Sequence, residues 1–399
     1  MATSPAPQRC ALVTTLLLPA GGASVVVSFV RWHLHVGFER IYLYFDEAVD
    51  EPVGWAELTA AFGADDARLV RARRSPELLD AQRATCACWR KFGAFAGDEV
   101  QARQALNAEH AARAARAAGL RWLAHLDVDE LFHAASPEAF AAHFAALDAG
   151  GVGHCTYANH EGVAERRDVG DYFAEVTLFK TNHHLVPLSA NAVEAMRWWR
   201  SKSGRGQYLL CYDNGKSAVR LVDGVAPTSV HAWALPAGCG LRRRTALADA
   251  RHLRVGDVAE DAATMPCVLH YVTCGEFWLR TKYEILGDFG DAWFGGDLPI
   301  APSYHLDARD VVRRRDAGAL RAFYAAHLDV PDAQTLARHV ASGALRRVEG
   351  PRALLRPDAR PPPPPPAAAA AAPAAAAPPA VDVAAEKAFL LSAAAARFL

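Results

Sequence analysis

The chain reads as an α/β protein with a mixed sheet flanked by helices, and three observations predict it. In the first third, apolar runs of strand length alternate with helical periodicity, with strands at 10–18 and 39–45 and a helix from Ser24 to Val36 between them. Residues 120–126, Leu-Arg-Trp-Leu-Ala-His-Leu, make a buried-strand pattern that runs straight into Asp127-Val128-Asp129. Past Gly150 to Gly153 the chain turns to short β-like runs at 174–180, 207–211 and 217–222, separated by polar loops. The first pattern gives βαβ units and a parallel sheet, and the third adds a mixed half.

Taken in order, the first element needs a choice. No residue from Cys10 to Val30 carries a charge, which a signal peptide or a membrane anchor would also give. Pro19-Ala20-Gly21-Gly22 interrupts the stretch, so a strand, a turn and a helix closed by Gly37 account for it better. The second strand is Glu39 to Phe45. An Ala-rich helix over 101–118 ends at Gly119. Because Ala favours any helix, such segments carry little further information. Trp198-Trp199 falls in what reads as a polar loop before Arg200-Ser201-Lys202, where the pair is either core packing or a platform for stacking a sugar ring. Helical patterns return over 258–345, including Glu276 to Leu286 and 308–327. Pro361 to Pro366 and the Ala/Pro tract up to Ala380 cannot build a core, so 351–380 reads as a linker and 381–399 as a short tail helix. One domain over 10–345 is expected, with halves at 10–150 and 151–345.

Lys and Arg number 43 against 44 Asp and Glu, a net charge of −1 that gives no field to attract nucleic acid or an anionic membrane. The eight cysteines lack the paired two-residue gaps of structural zinc sites, so no zinc is expected, and they leave the redox compartment open. His183-His184 has no third ligand at a plausible spacing in the sequence.

Alternate residues of an extended segment point the same way, so Asp127 and Asp129 can face one pocket beyond the strand's carboxyl end, where open α/β sheets bind ligands. Two hard oxygen donors suit Mn²⁺ or Mg²⁺, and such an ion suits a diphosphate. The plainer reading is a strand-end aspartate that caps a following helix.

Several strings then fall in one order: Trp32-His33, Gly37, Ile41-Tyr42-Leu43-Tyr44-Phe45-Asp46 and Asp50; Gln101 or Gln104 with Asn107; Trp122 and Leu126-Asp127-Val128-Asp129-Glu130-Leu131-Phe132; Gly215-Lys216-Ser217-Ala218-Val219-Arg220 and Val230-His231; and Leu269-His270-Tyr271 with Glu276-Phe277 and Lys282. Over roughly residues 10 to 290 the chain resembles the glycosyltransferase family 2-like group related to glycosyltransferase family 92, whose fold is of the GT-A, Rossmann-type kind. It departs from that group at Ala20-Gly21-Gly22-Ala23, where an Asn-Glu is usual, and at Tyr157 to Gly162 on the acceptor side.

The resemblance implies a sugar transfer from a nucleotide diphosphate, UDP-linked by the family 92 likeness, to a hydroxyl acceptor such as a glycan. In that scheme Asp127 and Asp129 anchor the divalent ion and His231 is its third ligand. Asp46 contacts ribose or base, and Lys216 and Arg220 meet the diphosphate. For the catalytic base that deprotonates the acceptor, Glu161 and Asp213 are both available in loops of the second half, and spacing does not choose between them. A Golgi or other endomembrane lumen is the expected compartment, with the cytoplasm as alternative and membrane association left open. Two rivals remain. One is a haloacid-dehalogenase-like phosphatase, whose Asp-x-Asp is normally followed by Thr or Val near the start of its domain, where here Glu130 follows. The other is an inactive sugar-binding relative.

Overall fold

A computed structural model describes residues 9–186, 189–245 and 265–356. In chain order the strands are β1 (Cys10–Leu16), β2 (Arg40–Phe45), β3 (Leu69–Arg73), β4 (Trp122–His125), β5 (Glu130–His133), β6 (Val152–Tyr157), β7 (Asn159–Val163), β8 (Leu178–Lys180), β9 (Lys216–Arg220), β10 (Ala226–Pro227), β11 (Trp233–Ala234), β12 (Arg242–Thr245), β13 (Cys267–His270), β14 (Ala292–Trp293), β15 (Leu298–Pro299) and β16 (Leu345–Arg347). They make a seven-stranded sheet in the order β12-β6-β9-β4-β1-β2-β3, a five-stranded sheet in the order β16-β8-β7-β13-β5, and two short ladders. The mixed α/β class expected from the sequence is the one observed.

β1 pairs in parallel with β2 on one side and β4 on the other, and all seven of its residues are buried. That placement demands an unbroken apolar run. The uncharged stretch that follows is the helix Ala23–Val36, which buries Val25, Val26, Phe29, Val30, Trp32, His33 and Val36 at helical spacing. Gly37 ends it at φ 128, with its N–H on the His33 carbonyl, and a Cβ there would lie 2.9 Å from the Phe140 ring. No described helix is long and apolar enough to cross a membrane.

Two short crossovers run from the large sheet into the small one. The chain leaves the large sheet at His125 and enters the small one at Glu130; likewise it leaves at Tyr157 and enters at Asn159. Residues 126–129, with both aspartates of interest, are therefore the crossover between sheets. From the long helix Val100–Ala117, Gln104 bonds Asp127 on this crossover, while its neighbour Arg103 bonds Asp46 just past β2.

Five expectations change. The pair Trp198-Trp199 lies within the helix Ala190–Lys202, capped by the Ser189 hydroxyl on the Ala192 N–H, and Trp199 is core. Residues 207–211 form no strand, and 174–180 divides into the short helix Tyr172–Glu175 and β8. The pattern at 308–327 is two helices, Tyr304–Arg313 and Ala317–His327, broken where Arg315 takes φ 54. Gly350–Leu355 is helical, so the expected linker opens inside a helix, while the rest of it and the tail lie outside the described residues.

Candidate functional site

The crossover is fixed from below by main-chain contacts. Trp32 Nε1 donates to the Phe132 carbonyl at 2.8 Å, and the Phe132 N–H donates to His33 Nε2 at 3.0 Å. His33 Nδ1–H in turn donates to Phe29 O at 2.9 Å, and burial lowers its pKa to about 3, so the ring is neutral with its acceptor nitrogen in place. The Trp-His string read from the sequence thus positions β5 and leaves substrate contact to others.

Strand geometry ends at His125, and the two carboxylates sit in a tight turn closed by the Glu130 N–H on the Asp127 carbonyl at 3.1 Å. Glu130 Oε2 reaches back to the Asp127 N–H at 2.7 Å. Each aspartate has its own ammonium partner. Asp127 accepts from Lys216 Nζ at 2.8 Å and from Gln104 Nε2 at 2.7 Å; Asp129 accepts from Lys282 Nζ at 2.7 Å, with His270 Nε2 at 3.7 Å. Burial raises both carboxyl pKa values, but the Lys216 charge outweighs it at Asp127, and Lys282 with His270 outweighs it at Asp129. Both groups are held below the usual carboxylate range. The opening lies on their side, with Asp127 28% and Asp129 18% exposed and Lys216 at 0%.

Behind them Glu130 is fully buried. Its carboxyl accepts from the Tyr212 hydroxyl and lies 3.7 Å from Lys216. Burial, opposed by Lys216 and helped by Asp127, raises its pKa to about 7. The Tyr212 ring packs against His231 at 4.7 Å and His270 at 4.8 Å. His231 Nδ1–H donates to Gly215 O at 2.8 Å, which leaves the Nε2 lone pair as the ligand atom, and burial with Lys216 lowers its pKa to about 3. Two ionised carboxylates and a neutral imidazole suit a hard divalent cation in chemistry. As a closed trio they do not. Among the described residues, the one set of three His, Cys, Asp or Glu ligand atoms within 4.8 Å of one another is His183, His184 and Asp213.

The remaining expectations divide. Asp46, just past the end of β2, is gripped by Arg103 through two bonds of 2.6 and 2.7 Å, a partner that the sequence did not flag. Lys216 is central. Arg220 is not, because β9 runs antiparallel to β4 and carries Arg220 beside Trp122, at the far end, where it meets Asp148 at 3.5 Å. Glu161 is also elsewhere: it bonds Lys180 Nζ at 2.8 Å and accepts from the N–H groups of Leu210 at 2.6 Å and Cys211 at 3.3 Å. Both oxygens are engaged, which unfits it as the catalytic carboxylate. Tyr212 and Lys282 complete the cluster; Lys282 was present in the strings of the resemblance, and Tyr212 gave no signal at all.

Two Arabidopsis thaliana proteins match the chain. Glycosyltransferase-like At2g41451 is 29% identical over 233 residues, 57% of this chain and 49% of its own length. Glycosyltransferase-like At3g57200 is 27% identical over 237 residues, 57% of this chain and 43% of its own. The chain is a relative of glycosyltransferase-like proteins. The matched stretch spans about half or less of those relatives. No protein-family model matches. Among solved structures, core-mannan synthase A of Aspergillus fumigatus in its Mn/GDP form aligns over 55% of this chain and 62% of its own, at 10% identity and a TM-score of 0.26, too low to compare the two folds.

Proposed function

We propose that the chain is a metal-dependent glycosyltransferase of GT-A type that moves a hexose from a nucleotide diphosphate sugar, a UDP-sugar first, to a hydroxyl of a glycan or similar acceptor. One observation carries this reading: two ionised carboxylates one residue apart, on the crossover beyond β4, each beside a lysine ammonium. Asp127 and Asp129 would hold Mn²⁺ or Mg²⁺, with His231 as the proposed third donor. When bound, that ion supplies Lewis-acid stabilisation of the departing diphosphate.

The chain's own residues do the rest. Lys216 and Lys282 bring positive charge to the place where the diphosphate's negative charge grows, in a setting that is largely closed to water and so little screened. Glu130 and Tyr212 hold the turn rigid behind them. The Asp46–Arg103 pair lines the nucleotide side through the helix that also sends Gln104 to Asp127. The proposed compartment is the Golgi or another endomembrane lumen, where glycans meet nucleotide sugars. The phosphatase reading is weaker, because Glu130 follows Asp129 where that motif normally carries Thr or Val, and the pair lies more than a hundred residues into the domain.

The test is calorimetric titration of the purified chain with UDP in the presence and absence of Mn²⁺, comparing wild type with Asp127→Ala plus Asp129→Ala. Micromolar binding that needs Mn²⁺ and vanishes in the double variant is the expected result. Absence of binding by folded wild type would overturn the reading.

A further inference from the structure

His183-His184, for which the sequence offers no third ligand at a plausible spacing, acquires one in three dimensions. The turn after β8 brings both imidazoles to Asp213, and one ligand atom from each of the three lies within 4.8 Å of the others. The rings sit 4.1 Å apart, and His183 Nε2 is 3.6 Å from Asp213 Oδ2. That separation is too long for a hydrogen bond. It is close to the edge of a tetrahedron: ligand bonds of about 2.0–2.2 Å put neighbouring donor atoms about 3.4 Å apart.

Both segments are set rigidly for this. Asn159 and Asn182 are fully buried, and their amides bond to each other at 3.3 Å. Asn182 donates to the Asp213 carbonyl at 2.9 Å and accepts from the His184 N–H at 3.1 Å, so one side chain spans both ligand-bearing segments. Asn159 donates to the Tyr212 carbonyl at 2.8 Å and accepts from the Gly215 N–H at 3.2 Å. Two buried amides spent on main-chain groups of 184, 212, 213 and 215 fix donor positions in advance, as a metal centre requires.

We propose that His183, His184 and Asp213 form a site for a borderline divalent cation, Zn²⁺ foremost, with a fourth position outside the protein. Two imidazoles and one carboxylate are the donor set of that class, softer than the two-aspartate site that faces a diphosphate. Asp213 directly follows Tyr212 and lies three residues before Lys216, so a bound ion stiffens the segment that carries both groups to the Asp127 cluster. The site stands whether or not the chain transfers a sugar.

The test uses the full chain stripped of metal by a chelator and titrated with Zn²⁺. One equivalent should bind to wild type and persist in Asp127→Asn plus Asp129→Asn, with affinity reduced at least a hundredfold in His184→Ala and in Asp213→Asn. A second measurement needs no variant: bound Zn²⁺ should slow diethylpyrocarbonate modification of the peptide holding His183 and His184 tenfold or more, read by mass spectrometry. Failure of wild type to bind Zn²⁺, loss of that equivalent in the Asp127/Asp129 variant, or binding that leaves those histidines unprotected would each overturn the proposal.

Discussion

Two glutamates lie in one row of the small sheet and have opposite characters. Lys180, Glu161, His270 and Glu130 are direct neighbours across β8, β7, β13 and β5, so their side chains share a face. Glu161 has a lysine and two main-chain N–H groups to itself, and Lys180 also lies over the Trp199 ring at 5.0 Å. Its charge is balanced one to one. Glu130 shares Lys216 with Asp127, and its pKa rises to about 7. Where buried acids and bases match in number the pair is scaffold; where carboxylates crowd a shared cation, protons and ligand ions become part of the balance.

The strongest way to break the comparison is Lys180→Met, which leaves Glu161 buried without its cation. Unfolding in urea should show a loss of about 3–5 kcal/mol, with UDP affinity of the folded fraction unchanged. A loss below about 1 kcal/mol would mean that Glu161 does not depend on Lys180.

Next comes pH. Because the folded pKa of Glu130 is raised from 4.5 to about 7, the folded state holds a proton that the unfolded chain has released between those values. Stability should therefore fall as pH rises from about 4.5 to 7, by on the order of 2–3 kcal/mol, and level off above. Glu130→Gln should flatten that slope, and Glu161→Gln should not. The depressed carboxyls of Asp127 and Asp129 act the other way in a separate window: their stabilisation is present above the ordinary Asp value and is lost only in stronger acid.

Lys216→Met should cost less stability than Lys180→Met, about 1–2 kcal/mol, since Glu130 can take up a proton and Asp127 is partly exposed. Its effect on UDP binding should be larger, tenfold or more. Equal stability losses for the two lysine variants would dissolve the contrast between the regions. The smallest effect is expected at His125, whose ring nitrogens are both buried without a hydrogen-bond partner among the described protein groups. His125→Leu should be neutral or stabilising by about 1 kcal/mol, read from the urea midpoint.

How much was legible follows the reach of each signal. β1, the helix Ala23–Val36 and the helix Glu276–Leu286 were readable within a residue or two, because apolar periodicity and terminal glycines act locally. The helix around Trp198-Trp199 was hidden by polar neighbours, since its buried face meets residues distant in sequence, among them His339. Asp127, Asp129 and Lys216 were legible as chemistry. Arg220 was misread because the string runs the full length of one strand, and only its Lys216 end lies near the crossover. Glu161 was misread because a buried counter-ion on another strand leaves no trace beside it.

By itself the sequence determined the α/β class, the strand that delivers Asp127 and Asp129, and the absence of a net charge to attract polyanions. These depend on side-chain type and local spacing alone. Only the tertiary structure decided which lysine serves which carboxylate, that Tyr212 backs Glu130, that Trp32 and His33 clamp the Phe132 main chain, and that Asp213 meets His183 and His184. Each of those is a pairing between segments far apart in the chain, set by strand register and by where a crossover leaves one sheet for the other, and no local pattern encodes a register.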